Sequence, residues 1–332
     1  MRFGWGRRFA APRRARVPRL WGPRSADPSH TPDPLTAPGV ESDLEKLFVK
    51  ERAESGNRPL LPDLSRGPLL LVSVRSPEEA SAALRGGADV LDVKEPRRGS
   101  LGMADIEVIA AIARQLADSN HDQTPRATPI PLSVALGEVH DWRDARSFPQ
   151  LPESVTFAKL GLSHLAPHNN WSDEWLRVRH SFEERRTAQL NWVAVAYADA
   201  DAATSPPIDD VLTAAIDTNC SGLLIDTFTK TGLTLTDCCD LTSLAQLAER
   251  CHSAGLFLTL AGRLTRESLP TLSRIPADVF AIRSAACEAA TREGRVTEPA
   301  VADFRMAMRT VLTSAGIAIN EGKPPIRQPS VP

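Results

Sequence analysis

Eight short apolar runs, rich in aliphatic and β-branched residues, recur through the middle of the chain and alternate with stretches of helical period. Apolar runs bounded by turn residues predict β-strands, and their alternation with amphipathic segments is typical of βα units in a parallel sheet. The predicted strands are, in order, PLLLVSV, ADVLDVK, IPLSVAL, SVTFAKLG, LNWVAVAYA, GLLIDT, LFLTLAG and ADVFAIR.

Helix candidates fill the intervals between these runs. In the first, SPEEASAALRGG, Ser76 and Glu79 form a capping-box pattern, and Gly86 and Gly87 are typical of a helix end. The segment after the third run has the weakest helical pattern. Eight strand–helix repeats across about 250 residues predict an α/β fold, a closed (β/α)8 TIM barrel rather than an open doubly wound sheet. The further helix candidates are MADIEVIAAIARQLA, DEWLRVRHSFEERRTAQ, PIDDVLTAAIDTN, LTSLAQLAERCHSAG, RESLPTLSRI and PAVADFRMAMRTVLTSAG.

Both ends of the chain lack a sustained apolar period. Residues 1–65 are rich in Pro and Arg, and we expect them to form a disordered N-terminal extension. Residues 317–332 end in GKPPIRQPSVP and are expected to form a disordered tail. The predicted barrel comprises residues 66–316. A basic tether or a targeting peptide is the functional alternative for the extension, but no secretory-type apolar segment follows the arginines, and we favour a dispensable segment. No apolar run approaches the ~20 residues of a membrane span, so no membrane association is expected.

Charge is distributed unevenly. The formal net charge is −2, but residues 1–26 contain eight Arg and no acidic residue, and subtracting those eight charges leaves −10 for the remainder. An acidic body is a poor nucleic-acid binder, so we expect no nucleic-acid partner. The five cysteines include no CxxC pair, and their odd number argues against a disulfide framework and favours a cytoplasmic protein. His164 and His168 have a spacing seen in zinc sites, but no second ligand pair accompanies them, and we predict no metal.

Lysine is scarce in this chain, and its positions are informative. Of the 39 basic residues only six are lysines, and three of these lie outside the patterned region. The other three, Lys94, Lys159 and Lys230, end or follow the second, fourth and sixth apolar runs. The carboxyl ends of barrel strands form one face, where the active sites of such barrels lie, so the three amines are expected to meet there.

The chemistry of an amine explains why arginine would not serve at these positions. A guanidinium stays charged, whereas a lysine among apolar walls and other cations can lose its proton near neutral pH and form an imine. Asp226 closes the sixth run, Asp92 shares a strand face with Lys94, and Glu138 follows the third run. Three lysines on one rim favour catalysis over the alternative of surface cations paired with aspartates. The predicted catalytic set is Lys94, Lys159, Asp226, Lys230 and Asp92.

Loops after the seventh and eighth strands are the usual anion site of such barrels, formed by backbone N–H groups and a helix N-terminus. Here they read AGRLTRESL and IRSAACEAA. The second-strand loop, EPRRGSLG, is predicted to grip a second anionic group. The alternative is that a glycine at a strand end serves only as a turn. The predicted phosphate-binding set is Ser100, Gly102, Thr227, Gly262, Arg263, Arg283 and Ser284.

Five segments together resemble one known family. They are VSVRSPEEASAALRGGADVLDVKEPRRGSLG, FAKLGL, LLIDTFTKTGLTL, LAGRL and FAIRSAAC, and the similarity runs from about residue 68 to 312. The family is (5-formylfuran-3-yl)methyl phosphate synthase, also called 4-(hydroxymethyl)-2-furancarboxaldehyde-phosphate synthase, of methanofuran biosynthesis. The resemblance implies a (β/α)8 barrel that condenses two molecules of glyceraldehyde 3-phosphate into a furan phosphate and releases phosphate and water.

The resemblance also implies roles for individual residues. Lys94 resembles the imine-forming lysine of the family and Lys159 its proton-accepting lysine, and Asp226 and Lys230 resemble a further acid and lysine of the site. Glu95 stands where we expect Asn, and Arg263 where a small polar residue is more usual. The implied substrate is a triose phosphate and no cofactor is implied; a homo-oligomer is compatible with the sequence. Two alternatives remain at this point: another Schiff-base aldolase acting on sugar phosphates, or a non-catalytic barrel or adaptor that binds a phosphorylated metabolite.

Overall fold

Eight parallel strands close into a barrel. The structure is a computed structural model that describes residues 61, 67–122, 129–230 and 232–314. Each strand pairs with the next along the chain, and the last pairs with the first, so the predicted (β/α)8 barrel is confirmed. The strands are β1 (Leu69–Val74), β2 (Val90–Val93), β3 (Leu132–Glu138), β4 (Val155–Gly161), β5 (Asn191–Tyr197), β6 (Gly222–Asp226), β7 (Phe257–Leu260) and β8 (Val279–Ile282).

Helices follow most strands and cover the outside of the barrel. The apolar stripe of each packs onto the outward-facing strand residues and forms the main core. The described part of the chain has no α-helix between β3 and β4, where one 3₁₀ turn, Val139–Trp142, takes its place. The helices are α1 (Pro77–Arg85), α2 (Ile106–Asp122), α3 (Trp171–Glu183), α4 (Ala200–Ala203), α5 (Ile208–Asp217), α6 (Leu235–Cys238), α7 (Leu241–Ser253), α8 (Leu269–Leu272) and α9 (Glu298–Ser314).

The start of α1 follows only half of the predicted capping box. Ser76 caps the helix by accepting the backbone N–H of Glu79 at 3.3 Å. The Glu79 carboxylate, however, accepts the backbone N–H of Arg75 at 3.0 Å and pairs with Arg283 at 2.5 Å. Glu79 therefore ties the first βα unit to the end of β8 instead of completing the reciprocal cap.

The barrel interior is apolar at its amino-terminal end and polar at its carboxyl-terminal end. Leu61 packs at the amino-terminal end against inward residues of β1, β2 and β8, namely Leu69, Leu71, Val90 and Val279. Polar side chains follow toward the carboxyl ends of the strands, where loops from β2, β6, β7 and β8 converge. The fold thus places strand-end residues around one cavity.

Apart from Leu61, the predicted extensions, residues 1–65 and 317–332, lie outside the described residues. The chain divides into two units, Met1–Gly56 and Asn57–Pro332, and the described residues all belong to the second. Within the described ranges, no helix is long and apolar enough to cross a membrane. The five cysteines are free thiols.

Candidate active site

Asp92 and Lys159 form a buried ion pair inside the barrel. Lys159 Nζ lies 2.5 Å from Asp92 Oδ1 and donates to Ser133 Oγ at 2.9 Å. The Ser73 hydroxyl donates to the other Asp92 oxygen at 3.0 Å. Strand register explains the cluster, because Ser73 pairs with Asp92 and Asp92 with Ser133 across β1, β2 and β3. Side chains at paired positions point to the same face of the sheet, here the interior.

A second pair, Asp226 and Lys230, lies at the end of β6. Lys230 Nζ donates to Asp226 Oδ1 at 2.8 Å and to the backbone oxygen of Thr227. The same carboxylate oxygen accepts the Thr227 N–H at 2.8 Å, and Ser100 Oγ lies 3.5 Å from Asp226 Oδ2. Asp226 is therefore fixed by donors from β6 and from the β2 loop.

Both aspartates are held in the ionised form. Burial alone raises the pKa of Asp92, but the charges of Lys159 and Lys94 lower it below its ordinary value. Burial likewise raises the pKa of Asp226, and the charges of Lys230 and Lys94 outweigh that effect and lower it. Each aspartate therefore keeps its negative charge at neutral pH.

Lys94 lines the same cavity as both pairs but has no salt bridge of its own. Lys94 is 8% exposed, and no carboxylate of the described residues lies within 4.0 Å of its Nζ. Burial lowers the pKa of Lys94 from 10.5 to about 7. Asp226 and Asp92 oppose that shift, while the charges of Arg292 and Lys230 add to it. A large fraction of Lys94 is thus a neutral amine near pH 7, which is the nucleophilic form.

The loops after β7 and β8 present backbone donors to the cavity. Gly262 and Arg263 both have positive φ, 94° and 57°. A side chain at position 262 would be strained and would bring a Cβ to 3.0 Å from Thr227 Cγ2. The N–H groups of Gly262, Arg263 and Ser284 donate to no acceptor among the residues that the structure describes. These three residues therefore remain candidates for an anion site.

One predicted phosphate contact, Arg283, has a structural role instead. All five N–H groups of Arg283 are used, by the Glu79 carboxylate and by the backbone oxygens of Ser73, Gly294 and Arg292. Arg283 therefore has no free N–H group for a phosphate, which corrects the prediction. Gly102 closes the β2 loop: its oxygen accepts the Glu95 N–H at 2.8 Å, and an added Cβ would lie 2.4 Å from the Glu95 oxygen.

The other predicted contacts are oriented differently. Ser100 is buried, and its hydroxyl donates toward Asp226 and the backbone oxygen of Thr227. Arg263 is exposed, lines the cavity and donates to the backbone oxygens of Lys230 and Gly232. Thr227 has a buried hydroxyl without a hydrogen-bond partner in the described ranges. Ser100 and Thr227 thus support Asp226 in this structure.

Four residues in or beside the site, Arg292, Ser73, Ser133 and Tyr197, were not predicted from sequence motifs. Ser73 and Ser133 had a usable signal, because each is a polar residue at an inward position of an apolar run. Tyr197 ends β5 and donates to Glu138 Oε1 at 2.6 Å. Burial and the Glu138 charge raise the pKa of Tyr197 well above 10. Arg292 follows β8 in irregular chain and carried no sequence signal.

The described residues contain no group of three or more His, Cys, Asp or Glu side chains arranged to hold a metal ion. His164, one of the two histidines with zinc-like spacing, has a positive φ of 60°. Its ring instead contacts His140 edge to face, with ring centroids 5.3 Å apart.

Comparison with known proteins points to one family. The family profile described as 4-HFC-P synthase matches residues 70–305. A protein of Methanococcus maripaludis named (5-formylfuran-3-yl)methyl phosphate synthase is 30% identical, over 71% of this chain and 97% of its own. The protein of the same name from Methanocaldococcus jannaschii is 29% identical, over 71% of this chain and 98% of its own.

A solved structure extends the comparison at the level of fold. Wild-type GGGPS from Thermoplasma volcanium has a TM-score of 0.51 and 10% identity, with 83% of this chain and 98% of that chain covered. That likeness concerns the barrel alone. The family profile spans most of the barrel, from β1 into α9, and includes all three cavity lysines. The chain therefore belongs to the 4-HFC-P synthase family.

Proposed function

We propose that this chain condenses two molecules of glyceraldehyde 3-phosphate into (5-formylfuran-3-yl)methyl phosphate, with loss of phosphate and water, through a Schiff base on Lys94. The product is a precursor in methanofuran biosynthesis. The observation that carries the proposal is one buried amine without a salt bridge, whose pKa is about 7, between two lysine–aspartate pairs.

The first step is addition of the Lys94 amine to the aldehyde carbon of one triose phosphate. Loss of the carbinolamine hydroxyl as water gives an iminium ion, which acidifies the neighbouring C–H bond. Transfer of that proton to a base leaves an enamine. The Asp92–Lys159 pair and Asp226 line the cavity with Lys94 and are the groups placed to accept and return protons.

The later steps use the same groups. The enamine carbon attacks the aldehyde of the second triose, or the enamine expels phosphate, and both orders lead through ring closure and dehydration to the furan. Lys230, held against Asp226 at 2.8 Å, is positioned to relay a proton or to neutralise phosphate. The free backbone N–H groups at Gly262, Arg263 and Ser284 support binding of one substrate phosphate.

Borohydride trapping tests the nucleophile directly. Wild-type enzyme incubated with glyceraldehyde 3-phosphate and borohydride should gain a covalent adduct on the peptide that contains Lys94, measured by mass spectrometry. Lys94→Arg keeps a positive charge but cannot form the adduct, and Lys94→Ala should behave alike. Lys323→Ala, which changes a lysine outside the described residues, is the control and should be trapped like wild type. Equal trapping of wild type and Lys94→Ala would overturn the assignment.

Product analysis separates the alternatives. The furan carries a conjugated aldehyde that absorbs in the near ultraviolet, and it should accumulate with one phosphate released per furan. A Schiff-base aldolase of another kind would give the same trapped adduct but an acyclic sugar phosphate. A non-catalytic barrel would give neither the adduct nor the furan.

A further inference from the structure

The cavity holds more positive charge than its carboxylates neutralise. Asp92 is paired with Lys159, and Asp226 with Lys230. Two other lining cations, Arg263 and Arg292, form no salt bridge with any carboxylate of the described ranges. Such cations favour binding of anionic ligands in the cavity.

Arg292 is held in place by the protein around it. Its Nη2 donates to the backbone oxygens of Gly99, at 2.6 Å, and Ser100, at 3.3 Å, in the β2 loop. Its own backbone oxygen accepts the Nε–H of Arg283 at 3.0 Å. Arg283 is in turn anchored by its ion pair with Glu79. Arg283 thus supports Arg292 rather than contacting an anion.

Part of this guanidinium is left without a partner. Arg292 Nε is buried and donates to no acceptor in the part of the chain that the structure describes, and Nη1 makes no hydrogen bond there either. A buried donor without an acceptor is unfavourable unless a ligand satisfies it. Nη1 lies on the Cδ side of the planar guanidinium, away from the Nε–H, so these two groups point in different directions. Nη1, which makes no hydrogen bond in the described ranges, is the group that can donate to a phosphate oxygen, and the positive charge of the guanidinium strengthens that contact.

We propose that Arg292 is a second phosphate subsite, on the β2–β8 side of the cavity, for the phosphate monoester of one of the two trioses. This proposal rests on the proposed function for the identity of the ligand, but its binding test does not. The two substrates bring two phosphate groups, and the backbone donors of the β7 and β8 loops bind one of them. The β2 loop takes part in the second subsite by orienting Arg292 through Gly99 and Ser100.

Calorimetric titration with inorganic phosphate tests the subsite without turnover. Wild type should bind two phosphates per chain and Arg292→Gln only one. Arg97→Gln is the control, because Arg97 lies exposed in the same loop and pairs with Glu293 at 3.3 Å; it should bind two. Losing a charged hydrogen bond should also raise the KM for glyceraldehyde 3-phosphate by roughly 10-fold. One phosphate in wild type, or two in a folded Arg292→Gln, would refute the proposal.

Wild-type crystals provide a measurement that does not depend on folding of the variant. After soaking in tungstate, a phosphate analogue with strong anomalous scattering, a peak should lie where one tungstate oxygen is within hydrogen-bond distance of Arg292 Nη1. A peak at the β7–β8 loops without one at Arg292 would refute the subsite. Borohydride trapping of wild type is the separate test of the proposed function. If wild type is trapped but binds only one phosphate, the subsite is rejected and the Schiff-base reaction stands. If wild type binds two phosphates but is not trapped, the Schiff-base reaction is rejected and the subsite stands.

Discussion

At the scale of single residues, the pKa of Lys94 should set the pH dependence of catalysis. The neutral amine is the reactive form, and burial lowers its pKa to about 7. We expect kcat/KM to fall about tenfold per pH unit below that value, because kcat/KM reports ionisation of the free enzyme. The measurement is the pH profile of kcat/KM, supported by the profile of the trapping rate.

Neighbouring charges should move this profile in opposite directions. Asp226 raises the pKa of Lys94, so Asp226→Asn should shift the acid limb to lower pH even though turnover itself falls. Arg292 lowers the pKa of Lys94, so Arg292→Gln should shift the limb to higher pH. Trapping rates measured across pH give both shifts. If the acid limbs of both variants moved in the same direction, the charges of Asp226 and Arg292 would not control the pKa of Lys94.

The same burial predicts a cost in stability. The pKa of Lys94 in the folded state lies below its unfolded value of about 10.5, so protonation penalises the fold. The penalty is fully present below pH 7 and disappears as pH rises from 7 to 10.5. Lys94→Met should therefore raise the free energy of unfolding at pH 7 by about 2 kcal/mol while abolishing trapping. Urea denaturation measures the free energy of unfolding of both proteins across pH. If the extra stability of Lys94→Met does not shrink as pH rises toward 10.5, the burial of a protonated Lys94 is not its cause.

The sequence was most informative about site residues on strands. Lys94, Lys159 and Asp226 could be predicted to share a cavity because the period of two and the parallel barrel fix where strand ends point. Arg283 also ends a strand, but its partner Glu79 lies 204 positions away, and no local pattern shows that pairing. Arg292 depends on contacts with Gly99 and Ser100 in the β2 loop, which only the closed barrel brings near.

At the scale of elements, the junction of β3 and β4 depends on a glycine in β4. An added Cβ at Gly161 would lie 2.1 Å from Glu138 Oε2, which accepts the Ser163 N–H at 2.9 Å. Gly161→Ala should therefore displace the Glu138 carboxylate and lower the free energy of unfolding by roughly 1–3 kcal/mol. Urea denaturation measures the loss.

A double-mutant cycle supplies the control for this element. In a Glu138→Ala background the obstructing carboxylate is absent, so adding Gly161→Ala should cost much less than in wild type. An equal cost in both backgrounds would mean that Glu138 is not the cause.

Secondary structure could be predicted where the apolar residues have a strong period. It was harder to predict where tertiary packing decides between a helix and a turn. All eight strands follow from the alternation of apolar runs. The predicted helix RESLPTLSRI is instead a 3₁₀ turn, Arg266–Ser268, followed by the four-residue α8. Pro270 lies in the first turn of α8, where it is tolerated, but in the interior of a longer helix it would remove a backbone hydrogen bond.

At the scale of the whole molecule, Leu61 marks where the catalytic unit should begin. It contacts the apolar cluster at the amino-terminal end of the barrel, formed by Leu69, Leu71, Val90 and Val279. A chain that starts at Asn57, the first residue of the second unit, keeps this contact. We expect that truncation to retain wild-type kcat/KM and thermal stability, in line with the prediction that the N-terminal extension is dispensable.

A longer truncation is the matched comparison. A chain that starts at Gly67 loses Leu61 and uncovers the apolar end of the barrel, so its free energy of unfolding should fall by roughly 1–3 kcal/mol relative to the Asn57 chain. Leu61→Ala in the full chain should reproduce most of that loss, because it removes the same contact without shortening the backbone. Trapping at Lys94 should survive in all three proteins, since the amine lies at the opposite end of the barrel. Loss of trapping on truncation to Asn57 would show instead that residues 1–56 contribute to the active site.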